Sequence, residues 1–483
     1  MSIITRVELL KRRRTKIVAT LGPASATPEM IENLIKAGVN VFRLNMSHGD
    51  HDFHRTVFQH IKNIRERLDE PVAVLADLCG PKIRTGQFQD GAVLLKAGKP
   101  VTITTRDVIG APGLIPSQYQ ALAQDVRAGD RILLDDGTME LRVESVAGTE
   151  INCTVVHGGK LKNHKGINLP GVNISAPSLT EKDKIDAEFA LGLGVDFLAL
   201  SFVRRAADIQ DLRQLITAHN GKAAIVAKIE KPEALVEATQ IMESTDAIMV
   251  ARGDLGVELN PEEVPVAQSQ LIELARRKFK PVIVATQMLE SMIDHARPTR
   301  AEVTDIAHAV TQGTDAVMLS AETASGAYPL EAVKIMDRIA RQTEAILWKS
   351  GAYAAGLAII TQPPIPVWEA VAYSVNSMAH QLGARAVMVM SNSGISATTV
   401  ASSRPPAPVI AMTNDAGVYR RMALLWSVIP ILSDKVGTLN PNQLAREIAK
   451  QLGLANTGQY ILLVRGFHSE TVFNTPTITA LLV

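Results

Sequence analysis

The chain has 483 residues, of which 46% are apolar and 20% are charged, and its 50 basic and 49 acidic residues leave a net charge of +1. At a prior of about 150 residues per domain, this length predicts about two to four domains. The balanced charge argues against binding to bulk nucleic acid or to an anionic membrane surface. Cys79 and Cys153 are too few for a disulfide scaffold or a structural zinc site, which fits a reducing compartment.

The amino-terminal residues 1–6 lack the long apolar core and the small-residue cleavage site of a signal peptide. Apolar stretches along the chain stay below the ~18 residues that a membrane span requires. The sequence therefore predicts a soluble, cytoplasmic protein. The basic run at residues 11–14 is interpreted as a solvated face of the amino-terminal segment.

Eight apolar, strand-like runs alternate with eight helix-like segments. The predicted strands are residues 16–21, 41–46, 72–78, 197–203, 224–230, 247–252, 281–287 and 316–320. The predicted helices are residues 28–37, 51–68, 182–193, 207–219, 232–244, 265–278, 300–310 and 329–347. Continuous apolar runs are typical of parallel strands that are buried on both faces. Eight such strands, each followed by a helix, predict an α/β fold of the TIM barrel type, with its chemistry on the loops after the strands.

Two further regions depart from the barrel pattern. After the third strand, strand-like runs at 101–105, 131–134 and 151–156 with turn signals between them predict an inserted small β-barrel domain, placed to act as a lid. Alternating helix-like and strand-like segments between 369 and 464 predict a carboxy-terminal α/β domain. The predicted domains are 1–78 (barrel, first part), 79–171 (inserted lid), 172–347 (barrel, second part) and 348–483 (carboxy-terminal domain).

Acidic residues end two consecutive predicted strands of the barrel. Glu230 ends one strand and Asp254 follows the next, so both are expected on the same rim, with Lys228 beside the first. Two carboxylates provide the hard oxygen ligands that Mg²⁺ prefers, next to a fixed positive charge. This arrangement predicts a site that handles phosphate.

Other polar residues follow the remaining strands. Arg43 has the geometry to hold a phosphoryl group, and Asn45 and Ser47 carry oxygens for a cation or a nucleotide phosphate. The loop at 77–86 packs an aspartate and two cations together, which favours an anion or metal site over a merely solvated loop. His48, His51 and His54 have a spacing that suggests a metal site, but they are interpreted as loop and surface residues, with His48 available to phosphate.

The loop at 391–396 in the carboxy-terminal domain follows a predicted strand and opens a helix. Backbone N–H groups and hydroxyls collect phosphate at such a position. An ordinary Ser/Asn turn with a helix cap explains the same residues equally well, and the motif leaves both interpretations open.

Eight stretches in chain order resemble the pyruvate kinase family. They are TKIVATLGP at 15–23, RLNMSHG at 43–49, GPKIRTG at 80–86, KGINLPG at 165–171, AIVAKIEKPEA at 224–234, MVARGDLG at 249–256, ATQMLES at 285–291 and MLSAETA at 318–324. The resemblance spans the barrel and the inserted domain. It implies phosphoryl transfer from phosphoenolpyruvate to ADP, giving pyruvate and ATP, as the final step of glycolysis.

The resemblance also implies roles for individual residues. The catalytic residues it implies are Lys228, Arg43 and Thr286. The substrate-binding residues are Arg43, Lys228, Arg252, Gly253, Asp254 and Thr286. The nucleotide-binding residues are Asn45, His48, Arg84 and Lys165. Glu230 and Asp254 are the implied ligands of Mg²⁺ or Mn²⁺, and Thr286 or a water chain near Ser320 and Glu322 is the implied path of the proton to the enolate.

One loop departs from the pattern of many relatives, which use K⁺. The counterparts of their potassium site are Asn45, Ser47, Asp77 and Leu78, where relatives have threonine at the last position. Lys82 stands where those relatives have glutamate. A lysine ammonium can supply the charge that potassium brings, so this chain is predicted not to require K⁺.

The carboxy-terminal domain resembles the effector domain of the family, which binds a sugar phosphate or a nucleotide and lies at a subunit interface of a homotetramer. The effector residues implied are Ser391, Asn392, Ser393, Gly394, Ser396, Thr398, Arg465 and Gly466. Two alternatives to the kinase are a metal-dependent lyase or aldolase acting on pyruvate enolates and a sugar-phosphate sensor without activity. The inserted domain argues against the first, and the Lys228, Glu230 and Asp254 set argues against the second.

Overall fold

The structure is a computed structural model, and it describes residues 12–352, 364–468 and 473–483. Residues 1–6, on which the prediction of no signal peptide depends, lie outside the described residues. So do Lys11 of the basic run and parts of the predicted carboxy-terminal domain. Within the described ranges, no helix is both long and apolar enough to cross a membrane.

Eight parallel strands close into a barrel, as predicted. Their bounds are β1 Lys16–Thr20, β2 Val41–Asn45, β3 Ala73–Asp77, β12 Phe197–Leu200, β13 Ala224–Ile229, β14 Ala247–Ala251, β15 Val282–Ala285 and β16 Ala316–Leu319. Neighbouring strands follow the order β1-β16-β15-β14-β13-β12-β3-β2, and pairing of β1 with β2 closes the ring. Almost every strand residue is buried, because side chains fill the barrel on one face and pack under the helices on the other.

Helices surround the barrel, and several begin and end at the residues that the sequence indicates. Their bounds are α1 Pro28–Ala37, α2 His51–Leu68, α4 Glu181–Leu193, α5 Ala206–Ala218, α6 Pro232–Val236, α7 Ala238–Ser244, α8 Arg252–Glu258, α9 Val264–Arg277, α10 Arg300–Gln312, α11 Ala321–Ala324 and α12 Pro329–Lys349. Thr180 and Asp183 form the predicted capping box of α4, and Gly38, Gly194 and Gly313 end helices in the left-handed conformation.

The helical units differ from the prediction at two places. The predicted helix 232–244 is two helices, α6 and α7, that meet at Glu237. The predicted strand 247–252 ends at Ala251, and α8 begins directly at Arg252, where the sequence suggested a loop. Gly253 and Asp254 therefore lie on a helix of seven residues.

The inserted domain follows β3 and is all-β apart from the short helix α3, Leu122–Asp125. Its strands are β4 Ala92–Leu95, β5 Pro100–Thr104, β6 Leu114–Pro116, β7 Arg131–Leu134, β8 Met139–Ala147, β9 Glu150–His157, β10 Gly159–Lys162 and β11 Ile167–Asn168. The domain predicted as a small β barrel contains two sheets. One has six strands in the order β11-β7-β8-β9-β5-β6, and the other has two strands, β10 and β4. The domain has an apolar core of its own.

The carboxy-terminal domain contains a five-stranded sheet with helices on it, as predicted. Its strands are β17 Val387–Met390, β18 Val409–Thr413, β19 Val428–Leu432, β20 Tyr460–Arg465 and β21 Thr477–Leu482, in the order β19-β18-β17-β20-β21. Its helices are α13 Val367–Gln381, α14 Ile395–Ser402, α15 Ala416–Arg421 and α16 Pro441–Gln451. Only β21 runs antiparallel to its neighbour.

This domain joins the barrel at its floor, the end that carries the amino termini of the strands. Arg404 makes a bidentate ion pair with Asp315, at 3.1 and 3.0 Å, and lies 4.9 Å from the ring centroid of the buried Trp426. Lys16 donates to the carbonyl of Val428 at 2.6 Å. The solvated face predicted for the basic run is wrong for Arg13 and Arg14, because Arg13 is buried against Asp337 and the side chain of Arg14 donates to residues of the carboxy-terminal domain.

Candidate active site

Lys228 lies at the centre of a cluster of charged side chains at the barrel rim. It is near the end of β13, and its ammonium lies 2.8 Å from Glu230 Oε1 and 3.3 Å from Asp77 Oδ1. It also donates a hydrogen bond to Ser201 Oγ at 2.6 Å. The alternation of side chains along a strand puts Lys228 and Glu230 on one face, so both reach the same polar pocket.

Arg43 approaches the same pocket from β2. Its guanidinium lies 2.6 Å from Asp77 Oδ2 through NH2 and 2.7 Å through Nε, and NH1 donates to Thr20 Oγ1 at 3.1 Å. Asp77 therefore stands between Arg43 and Lys228 as a shared counter-ion. Because β2 and β3 pair in register, with Asn45 opposite Asp77, their ends deliver these groups to one level of the rim.

Burial and charge shift the pKa values of this cluster in opposite directions. Burial alone would lower the pKa of Lys228, but the charges of Asp77 and Glu230 outweigh it and raise that pKa. Burial would raise the pKa of Asp77, but Lys228 and Arg43 lower it below its usual value. Burial, assisted by the like charge of Asp254, raises the pKa of Glu230. The site therefore holds a charged Lys228 beside Glu230. A bound cation would favour the ionised form of Glu230.

A cavity of about 700 Å³ is lined by Asp254, whose charge acts on Lys228 and Glu230. Gly253, Asp254 and Thr286 line it from the barrel, and Lys82 and Asp136 line it from the inserted domain and its connection. Its size lies within the range of about 300–1,000 Å³ that small-molecule sites occupy. The cavity lies where the lid meets the barrel rim.

Thr286 has an unusual backbone conformation in this cavity. Its φ is 69°, and that of Gln287 is 55°, in the left-handed region that a β-branched residue rarely adopts. In this conformation Thr286 Oγ1 accepts a hydrogen bond from the backbone N–H of Gly253 at 2.7 Å. Backbone strain of this kind concentrates at functional sites, because the surrounding structure must hold it in place.

Two carboxylates in this site suit a divalent metal ion. Glu230 is buried and Asp254 is partly exposed to the cavity, and the charge of Asp254 contributes to the raised pKa of Glu230. Mg²⁺ is commonly bound by one or two carboxylates together with water and substrate oxygens. Within the described ranges, no group of three or more His, Cys, Asp or Glu side chains is arranged to hold a metal ion. A pair of carboxylates fits Mg²⁺, which takes its other ligands from water and substrate.

Comparisons with known proteins agree with this geometry. The family model for the pyruvate kinase barrel domain matches residues 12–333, and the model for the pyruvate kinase alpha/beta domain matches residues 369–479. The chain belongs to the pyruvate kinase family. It is 44% identical to pyruvate kinase 2 of Synechocystis, covering 94% of this chain and 76% of that protein. It is 42% identical to the pyruvate kinase of Corynebacterium glutamicum, covering 96% of each.

A solved structure supports the same assignment. The crystal structure of a pyruvate kinase from Cryptosporidium parvum superposes with a TM-score of 0.90 at 35% identity, covering 98% of both chains. The chain is therefore a phosphotransferase of glycolysis, which transfers the phosphoryl group of phosphoenolpyruvate to ADP and yields pyruvate and ATP. Metal and ATP binding are typical of pyruvate kinases.

Arg252 contributes to this pyruvate kinase site differently from its neighbours. Its side chain meets Asp305 at 2.7 Å and the carbonyl of Thr286 at 2.7 Å. The guanidinium therefore holds the strained Thr286 segment against α8. Arg252, Gly253 and Asp254 all line the cavity.

The residues implied as a potassium site are close together but have protein partners. Asn45 Oδ1 accepts from the backbone N–H of Ser47 at 3.2 Å. Asp77 is engaged by Arg43 and Lys228, and the carbonyl of Leu78 accepts from Ser201 Oγ at 2.7 Å. Lys82 is exposed on the adjoining loop and lines the cavity.

The residues implied in nucleotide binding lie on both sides of the cleft between the barrel and the lid. Arg84 and Lys165 lie on the two connections to the inserted domain, which meet in an antiparallel bridge between Arg84 and Gly166. The ammonium of Lys165 lies 2.8 Å from Asp135. His48 is exposed at the end of β2, and burial, with the charges of Lys82 and Arg84, lowers its pKa.

The residues implied in effector binding lie in the carboxy-terminal domain, separate from the catalytic rim. Ser393 and Gly394 precede α14, and pairing of Val389 with Val464 brings their loop beside Arg465. Ser391 and Ser396 are buried, and Ser391 Oγ accepts from the backbone N–H of Ala397 at 3.3 Å. The part of the predicted cradle that faces outward is Asn392, Ser393 and Gly394.

Sequence reasoning missed Ser201 and Phe202 at the end of β12. Ser201 holds Lys228, and the backbone N–H of Phe202 donates to Glu230 Oε2 at 2.8 Å with a φ of 55°. A polar residue after an apolar strand was the available signal for Ser201. That signal is weak, because a lone serine followed by a phenylalanine indicates no chemistry by itself.

Proposed function

We propose that Lys228 and Arg43 carry the phosphoryl transfer. The observation that carries the proposal is the position of the Lys228 ammonium, 2.8 Å from Glu230, in a charge cluster that also includes Asp254, a residue that lines the cavity. Its positive charge would stabilise the transferring phosphoryl group and the enolate that remains. Arg43 would orient the phosphoryl oxygens through its planar guanidinium, which Asp77 and Thr20 hold in place.

Glu230 and Asp254 would hold Mg²⁺ or Mn²⁺. When bound, the ion would neutralise charge on the substrate carboxylate, the enolate oxygen and the phosphoryl group. The backbone N–H of Gly253, which now donates to Thr286, would bind the substrate carboxylate, and the Thr286 hydroxyl would be released to it as a second donor. The proton that completes pyruvate would arrive through Thr286 or through water near Ser320 and Glu322. Glu322 is buried, which raises its pKa.

An assay that follows pyruvate from phosphoenolpyruvate, with and without ADP, tests this function. We expect pyruvate and ATP in equal amounts, dependent on ADP and on a divalent ion. A lyase acting on another pyruvate enolate would leave phosphoenolpyruvate unchanged with or without ADP. A sensor would show no turnover on either class of substrate.

ADP would bind between the barrel rim and the lid, with its phosphates near His48, Arg84 and Lys165 and with Asn45 contributing an oxygen. The arrangement supports this because Arg84 and Lys165 lie together on the two connections between the barrel and the lid, where the backbone of the two connections pairs. Lys165→Met is expected to raise the KM for ADP about tenfold, since a charge-assisted contact to phosphate is lost. The KM for phosphoenolpyruvate should stay within about twofold; an equal rise in both would contradict this assignment.

The enzyme would work without added K⁺. The exposed ammonium of Lys82 at the cavity supports this, since it supplies a fixed positive charge beside the residues that correspond to the potassium site, Asn45, Ser47, Asp77 and Leu78. In tetramethylammonium buffer, activity should fall by less than about twofold relative to potassium buffer. Lys82→Glu should create a dependence on K⁺, and a large, saturable activation of the unaltered enzyme by K⁺ would contradict the proposal.

The carboxy-terminal domain would bind a sugar-phosphate or nucleotide effector at the loop before α14. Exposed Ser393 and the nearby Arg465 and Gly466 support this, since hydroxyl, backbone N–H and guanidinium groups together recognise phosphate. Ser393→Ala and Ser396→Ala together should abolish activation and spare basal turnover. Thr398→Val should weaken activation less, because Thr398 Oγ1 already donates to the carbonyl of Gly394.

The protein would be a cytoplasmic homotetramer. Family membership supports both statements, and light scattering of the purified enzyme tests the second. A mass near four times 52.0 kDa is expected. A monomer with full activity would contradict it.

A further inference from the structure

The last residue of α8, Glu258, has a carboxylate that is 1% exposed and lies between three parts of the molecule. Its Oε1 lies 2.6 Å from the ammonium of Lys231 and accepts a hydrogen bond from Asn168 Nδ2 at 3.3 Å. Its Oε2 is buried and has no hydrogen-bond partner among the described residues. The pyruvate kinase reaction as assigned above uses none of these three residues.

Lys231 ties Glu258 to the catalytic end of β13. It directly follows Glu230, is 5% exposed on its side chain, and lies 5.9 Å from the ring centroid of Phe202. The backbone N–H of Phe202 in turn holds Glu230. A buried ammonium is strongly destabilising without its carboxylate partner, so this pair fixes the end of α8 relative to Glu230.

Asn168 ties Glu258 to the lid. It lies on β11, which pairs with β7 in the inserted domain. The turn after β7 approaches the same part of α8, because a methyl group added to Gly137 would lie 3.6 Å from Val257 Cγ1. The lid therefore contacts the carboxy-terminal end of α8, one turn beyond Gly253 and Asp254.

We propose that Glu258 is a positioning residue that couples the seating of the lid to the placement of Asp254 and Gly253. Since α8 has only seven residues, its two ends move together as one rigid segment. When the lid packs against the barrel, Asn168 donates its hydrogen bond to Glu258. The ion pair of Glu258 and Lys231 then fixes α8 against β13. The inference rests on the roles proposed above for Asp254 and Gly253.

Asn168→Ala tests this coupling because it removes the lid contact and leaves the pair of Lys231 and Glu258 in place. We expect kcat to fall about fivefold, which corresponds to the loss of one hydrogen bond worth about 1 kcal/mol. Binding of phosphoenolpyruvate without ADP and the midpoint of thermal unfolding should not change. Asn152→Ala is the matched control, since Asn152 lies in the same domain and bonds only to lid residues, Thr102 and Ser145, in the contacts described.

Hydrogen exchange gives a second measurement that a merely structural role would not change. Substrate binding should protect the amides of residues 166–169 in the unaltered enzyme and in Asn152→Ala, and the protection should be lost in Asn168→Ala. Adding Asn168→Ala to Glu258→Ala should cause no further loss of turnover, since the contact is already absent.

Two results would overturn the proposal: turnover of Asn168→Ala within about twofold of the unaltered enzyme, or independent losses in the double variant. Failure of the catalytic assignment would look different. It would appear as full activity in a Lys228 variant, whatever the behaviour of Asn168.

Discussion

The rim and the floor of the barrel both bury charged side chains, but they arrange them differently. At the rim, Asp77 is shared by Arg43 and Lys228, and Glu230 lies near a second carboxylate, Asp254. At the floor, Arg404 and Asp315 form a matched bidentate pair. At the rim, one carboxylate serves two cations and another carboxylate lies near a third, whereas at the floor one cation meets one carboxylate.

Access to a cavity makes the difference functional. At the rim, Asp254 lines a cavity of about 700 Å³ and its charge acts on Lys228 and Glu230, so the cluster is connected to a space that a small molecule could occupy. At the floor, Arg404 and Asp315 are covered by Trp426, whose backbone N–H donates to Asp315, and Arg404 also donates to the carbonyls of Ala401 and Gly313. Buried charges that are unevenly paired and connected to a cavity are therefore candidates for a catalytic role. Buried charges that are paired with each other and covered by a second domain instead hold the two domains together.

The largest difference between the rim and the floor is expected when one buried lysine is replaced at each end of the barrel. Lys228→Met should lower kcat at least about 1,000-fold, because it removes the positive charge closest to the transferring group. Lys16→Met at the floor is the matched control and should keep turnover within about twofold. Steady-state assays at saturating phosphoenolpyruvate and ADP measure both. Equal losses in the two variants would mean that the floor also takes part in catalysis.

The next largest effect is expected in the stability of the floor. Arg404→Met leaves Asp315 buried without its cation, which should cost about 3 kcal/mol of unfolding free energy. Urea unfolding measures this, and turnover at low temperature should remain close to that of the unaltered enzyme. Arg385→Met, on an exposed position of the same domain, should change stability by less than about 0.5 kcal/mol.

A smaller effect is expected from the counter-ion of the rim. Asp77→Asn removes a charge that raises the pKa of Lys228, so this pKa should fall and activity should be lost at a lower pH on the alkaline side. Turnover at neutral pH should fall about tenfold, because Arg43 also loses its partner. The pH profile of kcat/KM measures the shift. Asp294→Asn, which is exposed near the rim, should leave the profile unchanged.

The smallest effect concerns the pH dependence of stability. Burial lowers the pKa of Lys16 to about 7, so between pH 7 and its usual pKa the unfolded chain binds the proton that the folded chain has lost. Stability should therefore gain up to about 1.4 kcal/mol per pH unit from this residue as pH rises above 7. Lys16→Met should remove that gain in urea titrations at pH 7, 8 and 9. The exposed Lys62→Met should retain it.

The sequence predicted the barrel well because each strand is a continuous apolar run between polar loops. It also predicted that Lys228, Glu230 and Asp254 share a rim, since this follows from the direction of parallel strands. The pairing of Asp77 with two cations was not predicted, because it depends on how far three side chains reach across the rim.

Short elements were the least predictable. The run Arg252 to Gly256 has two glycines among polar residues, which is typical of a loop, and yet tertiary contacts make it the start of α8. The ion pair of Arg252 with Asp305 and its hydrogen bond to the carbonyl of Thr286 were not predicted, because both partners are distant in the chain. In the lid, β10 and β11 are too short to leave a periodic pattern, and only pairing with distant strands defines them.

The contacts of β1 have a consequence for synthesis of the chain. The backbone N–H groups of Arg14 and Thr15 bind Glu344, 330 and 329 residues later, and β1 pairs along one edge with β16. Strand β1 thus leaves the ribosome 300 residues before β16, the partner that completes its pairing. At about 5–20 residues per second, its open edge waits tens of seconds for its partner, an interval in which a chaperone that shields it would raise the yield of native enzyme.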